Sequence, residues 1–265
     1  MTIKLLAILT WAITWLIIYL RLSKNSPVSK RLTLKQLNTI WLSALTLHGI
    51  TTLQTLFVNA APAFSLLSSL SIVMWLSGLL LYLTHLKRPL ETLGLFMIPI
   101  VILSLIVIIL LPQHGKPVQL NDGLGLHILL SLLAYSMLGL AMLQALLLAA
   151  QHKQLHNHRP GGLIRTLPPL QDMETLLFRL ITSGLILLTL GLLSGFLFMD
   201  EFFGRQVAHK TILSLIAWLT FATLLFGHWR YGWRGKTAIR WTLAGFGFLM
   251  LAFLGSKLIL EYLVT

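Results

Sequence analysis

Histidine is the residue type in this chain best placed to do chemistry. There is no cysteine, and Asp122, Asp200, Glu201 and Glu261 fall at the ends of the apolar runs, not inside them. An ionisable side chain within an apolar run is expensive and marks a functional position by default. His127 follows Asn121-Asp122-Gly123 by about one helical turn, and His209 opens another apolar run. Each lies near a helix N-terminus, whose partial positive charge favours the neutral ring, and the neutral imidazole is the form that ligates metal. Two such rings at similar depth can flank a haem as axial ligands, with Arg205 and Lys210 placed for its propionates. The alternative for each ring is an interfacial histidine bonded to a neighbouring carbonyl or water.

His48 lies about halfway along its apolar run, and Thr51, Thr52 and Thr55 follow on the same helical face. Such a stripe faces protein or a cavity, either as hydrogen-bonding glue between helices or as a ligand or proton-handling group. His228 comes nineteen residues after His209, which at about 1.5 Å per residue separates them by roughly 28 Å. One cofactor cannot reach both. If His228 is a ligand, it serves a second, inner site, with His48 or His85 as its neighbour; otherwise it is an interface residue beside Trp229 and Arg230. His152, His156 and His158 sit in a basic connector without cysteine or a nearby acidic ligand and read as solvated.

The elements that must position these residues are membrane helices. The chain has 265 residues, of which 57% are apolar and only 10% charged, against about 25% charged in a soluble domain. At about 20 residues per span, there is room for roughly seven to nine spans. Apolar runs interrupted by charge or proline place them near 3–20, 36–57, 64–84, 92–111, 124–150, 175–198, 208–228 and 239–260. All eight read as helices of an all-α polytopic bundle, forming one integral membrane domain over 1–265. The first run is longer than a signal-peptide core and lacks a small-x-small cleavage site, so it reads as a retained span. The stretch 151–174, with Arg159-Pro160-Gly161-Gly162 and Pro168-Pro169, reads as the longest connector. Gly191-Leu192-Leu193-Ser194-Gly195 matches a small-xxx-small packing face.

The formal charge is +13. In a soluble protein that surplus would suggest nucleic acid as a partner; here the cations occupy short loops, and no nucleic-acid partner is expected. Arg21, Lys24, Lys30, Arg31, Lys35, Lys87, Arg88, Lys153, Arg159, Arg165, Arg179, Arg230, Arg234, Lys236 and Arg240 fall on one side, and Lys4, Lys116, Arg205, Lys210 and Lys257 on the other. The positive-inside rule makes the first set cytoplasmic and both termini periplasmic. Trp41, Trp229, Trp233 and Trp241 are then expected in a cytoplasmic aromatic belt. No GxxxxGK[ST] phosphate loop, GxSxG elbow or HExxH pair occurs.

Several segments resemble the cytochrome c assembly superfamily of the CcsA, CcmC and HemX type. His127-Ile128-Leu129-Leu130-Ser131-Leu132-Leu133-Ala134-Tyr135 is similar to its histidine-led helix. Leu187 to Gly195 resembles the glycine-rich span that follows. Leu213 to Leu219, with Gly227-His228 and Gly232-Trp233-Arg234-Gly235, resembles the next helix and its cytoplasmic exit. Leu167-Pro168-Pro169-Leu170, Met173-Glu174, Leu176-Leu177-Phe178 and His209-Lys210-Thr211 resemble the YpjD-type inner-membrane branch. The likeness spreads over 40–255 and is most specific over 127–235.

The resemblance implies a multi-pass protein of the bacterial inner membrane that binds b-type haem non-covalently and assists its delivery to apocytochromes c. His127 matches the first outer-face histidine of the family, and His228 the histidine at the inner end of the helix after its tryptophan-rich segment. His209 stands in the region of that segment. The stretch Met199 to Ala208 has no tryptophan and the chain ends Glu261-Tyr262-Leu263-Val264-Thr265 without a last histidine. A cofactor-handling protein is therefore expected, not an enzyme with complete haem-lyase activity. Its partners would be membrane lipid and cytochrome c maturation components. Two alternatives are a non-haem membrane scaffold or regulator, and a small-solute or proton-coupled transporter using His48.

Overall fold

The computed structural model describes residues 2–23, 33–58, 61–86, 90–111, 122–156, 167–198 and 208–255. The chain divides into two compact units, Met1–Gln119 and Leu120–Thr265. All eight expected helices are present. Six of them, among the described residues, are long and apolar enough to cross a membrane.

The first unit contains α1 (Thr2–Leu22), α2 (Leu34–Leu56), α3 (Leu66–His85) and α4 (Glu91–Leu110). Between α2 and α3 a hairpin of two-residue strands, β1 (Phe57–Val58) and β2 (Ala61–Pro62), pairs Phe57 with Pro62. Helix α2 starts at a capping box: the Thr33 hydroxyl accepts from the Gln36 amide, and the Thr33 amide donates to Gln36 Oε1 at 3.0 Å. Ser65 caps α3 by accepting from the Ser68 amide at 3.0 Å. α2 is not among the six apolar spans, because Lys35, Gln36, Asn38, His48, Gln54 and five threonines dilute its hydropathy.

Small residues let the large ones in. A β-carbon on Gly78 would sit 3.1 Å from the Trp11 ring, and one on Gly94 would sit 3.0 Å from the Trp41 ring. Trp11 and Trp41 are both fully buried. Trp41 packs inside the unit and stacks on His85 with ring centres 5.3 Å apart. At one end of the unit Arg21 reaches Glu91 with Nη2–Oε1 at 3.0 Å and Nε–Oε1 at 3.2 Å. The Trp15 indole donates to the Leu95 carbonyl at 2.9 Å, joining α1 to α4.

The second unit contains α5 (Asp122–His156), α6 (Leu170–Phe198), α7 (Ala208–Tyr231) and α8 (Lys236–Met250), the last running on into a π-helical turn, Leu251–Gly255. The expected connector 151–174 is shorter than read. Helix α5 continues through His152 and His156, and α6 begins at Leu170 just after Pro168-Pro169. Gln, Lys and Leu between 151 and 155 sustain the helix, whereas the two prolines cannot enter it except at its start. Helix α8 has 15 residues and is not one of the six spans.

The expected small-residue face is used for close packing of α5 on α6. Gly184 leaves no room for a β-carbon, which would lie 2.6 Å from the Leu138 side chain. A β-carbon on Gly191 would meet Ser131 Oγ at 3.5 Å. Helix α7 is tied to α6 by the Trp218 indole, which donates to Thr189 Oγ1 at 2.8 Å.

Candidate functional site

His127 stands in the second turn of α5 and is half-buried. Its Nδ1 lies 2.9 Å from the carbonyl oxygen of Gly191 and 3.3 Å from Ser194 Oγ, both near the end of α6. A carbonyl oxygen can only accept, and the Ser194 hydroxyl spends its own proton on the same carbonyl at 2.8 Å. The hydrogen of the bond must therefore come from His127 Nδ1. In the neutral ring this leaves the lone pair on Nε2. A carbonyl holding Nδ1–H in this way is the usual means of fixing the tautomer and orientation of a metal-binding histidine.

Ser194 and Gly191 were legible in the sequence as a packing face only. Their role at His127 was missed. The available signal was depth, since Gly191 and Ser194 lie in the last two turns of α6 and His127 lies in the first two turns of the antiparallel α5.

His228 in the last turn of α7 repeats the pattern with different partners. Its Nδ1 lies 2.8 Å from the carbonyl oxygen of Trp233, so here too Nδ1 donates and Nε2 is the free lone pair. The ring stacks on Phe178 of α6 with centres 3.5 Å apart and planes at 16°. His228 lines a cavity of about 590 Å³, together with Gln171, Glu174, Arg179, Leu225 and Arg234. That volume lies within the usual range for small-molecule sites. Phe178 and Gly191 are thirteen residues apart on α6, about 20 Å along the helix axis. The two imidazoles therefore belong to separate sites.

His48 is in a different environment. It is fully buried, with Nε2 3.3 Å from Ser71 Oγ and its ring edge-on to Trp11 at 6.2 Å. Thr52 donates to the His48 carbonyl at 2.9 Å and so accepts from Ser71 at 3.0 Å. Ser71 has then used its proton, and His48 must donate from Nε2. Thr51 and Thr52 are buried and Thr55 half-buried, so the stripe faces protein. It joins α2 to α3, and His48 is closed to a porphyrin in this conformation.

His209 is exposed in the first turn of α7, and Lys210 beside it is half-buried. Among the described residues no hydrogen bond or ring contact joins His209 to His127. Arg205 lies outside the described residues, as does most of the stretch 199–208. His85 accepts a 3.4 Å hydrogen bond at Nδ1 from the Leu90 amide and is covered by Trp41.

Residues 37–264 match the family model described as Cytochrome C assembly protein. The chain is 33% identical over 171 residues to Inner membrane protein YpjD of Escherichia coli (strain K12), covering 63% of this chain and 65% of that protein. It is 33% identical over 91 residues to Cytochrome c biogenesis protein CcsA of Prochlorococcus marinus (strain NATL1A), covering 34% of this chain and 29% of the relative. Protein HemX of Brevibacillus brevis is 26% identical over 131 residues, 49% of this chain and 48% of HemX. The aligned part thus spans less than two thirds of these relatives' lengths. With a family match over most of its length and six apolar helices long enough to span a bilayer, the chain belongs to the cytochrome c assembly protein family and is a multi-pass inner-membrane protein.

Proposed function

We propose that the chain binds b-type haem non-covalently and handles it within cytochrome c biogenesis, with His127 as the principal iron ligand. The observation that carries this is the His127 Nδ1–Gly191 carbonyl contact of 2.9 Å, which leaves Nε2 as an oriented lone pair. Bound haem iron would supply a Lewis-acidic centre for that nitrogen. His127 would hold the iron, and Gly191 and Ser194 would keep the ring from rotating. His209 would be the second iron ligand in this reading, with Lys210 and Arg205 for the propionates. His228 marks an inner site, where Arg179 and Arg234 provide the cationic groups. His48 serves as an interhelical link.

The role is coordination and orientation, not bond-making, so no enzymatic activity is assigned. Cytochrome c maturation components are the proposed partners, in a bilayer oriented with both termini periplasmic. The test is the optical spectrum of detergent-purified protein made with abundant haem precursor, for wild type, His127→Ala and His209→Ala. A low-spin bis-imidazole signature that both substitutions diminish supports the assignment. Colourless wild-type protein overturns it in favour of a scaffold without haem.

A further inference from the structure

The turn between α7 and α8 has an unusual construction. Helix α7 ends at Gly232, with φ +68°, and α8 is entered through Gly235, with φ +54°, both in the left-handed region that favours glycine. The Gly232 amide donates to the His228 carbonyl at 3.1 Å, and the Trp233 amide to the Gly227 carbonyl at 3.2 Å. Gly227 has no β-carbon, which allows the Trp233 ring to lie directly on α7. This places the Trp233 carbonyl 2.8 Å from His228 Nδ1.

A side chain of α6 reaches this turn from outside. Glu174, in the second turn of α6, accepts from the Gly235 amide at 2.9 Å, across 61 residues of sequence. Gly235 is the N-cap of α8 and has no side chain of its own to satisfy the helix start. Glu174 also lines the cavity that His228, Arg179 and Arg234 share. A chain of contacts therefore runs from Glu174 to Gly235, through the turn to the Trp233 carbonyl, and on to His228.

We propose that Glu174 is a positioning residue: by anchoring the turn at Gly235 it holds the Trp233 carbonyl on His228 Nδ1, so that Nε2 is presented to the cavity as a lone pair. The ligand class this serves is a metal-centred or hydrogen-donating group that also carries an anion for Arg179 and Arg234. This rests on the reading that His228 serves an inner site. The orientation of the ring is set by Glu174 whether or not the ligand is haem. Its carboxylate acts through one acceptor oxygen, and its charge is not what the turn requires.

The experiment uses full-length protein labelled with ¹⁵N-histidine in lipid nanodiscs, without added ligand, and reads the ring nitrogen shifts of the neutral imidazoles. In wild type, His228 and His127 both carry hydrogen on Nδ1. In Glu174→Ala the Nδ1–H to Nε2–H ratio at His228 falls about five- to tenfold, the equivalent of one hydrogen bond, while His127 is unchanged. In Glu174→Gln, which keeps an acceptor oxygen and loses the charge, the ratio stays near wild type. The proposal is overturned by an unchanged His228 in Glu174→Ala, by Glu174→Gln behaving like Glu174→Ala, or by an equal change at His127. A parallel haem titration separates the two readings: wild type that takes up no haem removes the cofactor assignment and leaves the tautomer result standing.

Discussion

The imidazole of His127 is held by the Gly191 carbonyl, 2.9 Å from Nδ1, across the packing of α5 on α6. The small residues that bring α5 and α6 together therefore also aim a metal-binding nitrogen. Ser194 adds a 3.3 Å contact to the same Nδ1 and donates to the same carbonyl. Removing its hydroxyl leaves the principal acceptor in place. Ser194→Ala is expected to weaken haem binding only by about two- to tenfold, the cost of one neutral hydrogen bond, whereas His127→Ala abolishes the axial signature. Spectrophotometric haem titration of the two variants measures this difference.

His48 gives the opposite expectation. Because it is fully buried between Trp11 and Ser71, His48→Ala should leave the haem-to-protein ratio unchanged. Loss of its ring and of a buried hydrogen bond should lower stability by about 2–4 kcal/mol. Thermal unfolding in detergent and the pyridine haemochrome ratio give the two readings from one preparation. Loss of haem with unchanged stability would restore His48 as a ligand.

Two glycines are expected to be intolerant for the same steric reason. Gly184→Val drives a side chain into Leu138, whose nearest atoms would lie 2.6 Å from the new β-carbon. Gly227→Ala drives one into the Trp233 ring. Overpacking of this kind costs about 1–3 kcal/mol. Gly227→Ala should in addition disturb the His228 imidazole and not that of His127, which the ¹⁵N spectrum resolves.

The Arg21–Glu91 pair joins α1 to α4 at 3.0 Å with both side chains largely buried, at 17% and 11% exposure. Removing one partner leaves a poorly solvated charge, so Glu91→Leu is expected to cost about 3–5 kcal/mol. Arg21→Met combined with Glu91→Leu should cost less than Glu91→Leu alone. A double-mutant cycle from unfolding midpoints checks this; additive losses would show that the two groups are independently solvated.

Thr189 accepts the Trp218 indole hydrogen between α6 and α7 at 2.8 Å. Thr189→Val keeps the shape and strands the donor, at an expected cost of about 1–3 kcal/mol. Thr189→Ser should recover most of it. The same unfolding measurement distinguishes the two variants.

What could be read along the chain was whatever near neighbours dictate. Apolar runs of spanning length set the eight helices, and the scarcity of charge set the membrane environment, because burial of a helix in lipid depends on its own composition. Pro168-Pro169 marked a break ahead of α6, although that helix starts at Leu170 and not at 175. The types of the candidate ligands were legible for the same reason: His127 and His228 are conspicuous in apolar surroundings. Tertiary structure decided the rest. It made His48 a link between α2 and α3, packed Trp41 against His85, and gave His127 and His228 their tautomers. Those outcomes turn on contacts with Ser71, His85 and Gly191, and on a turn anchored by Glu174. Helical periodicity specifies which face a side chain occupies, but not which carbonyl of a distant segment it will meet there. That is settled only when the helices pack.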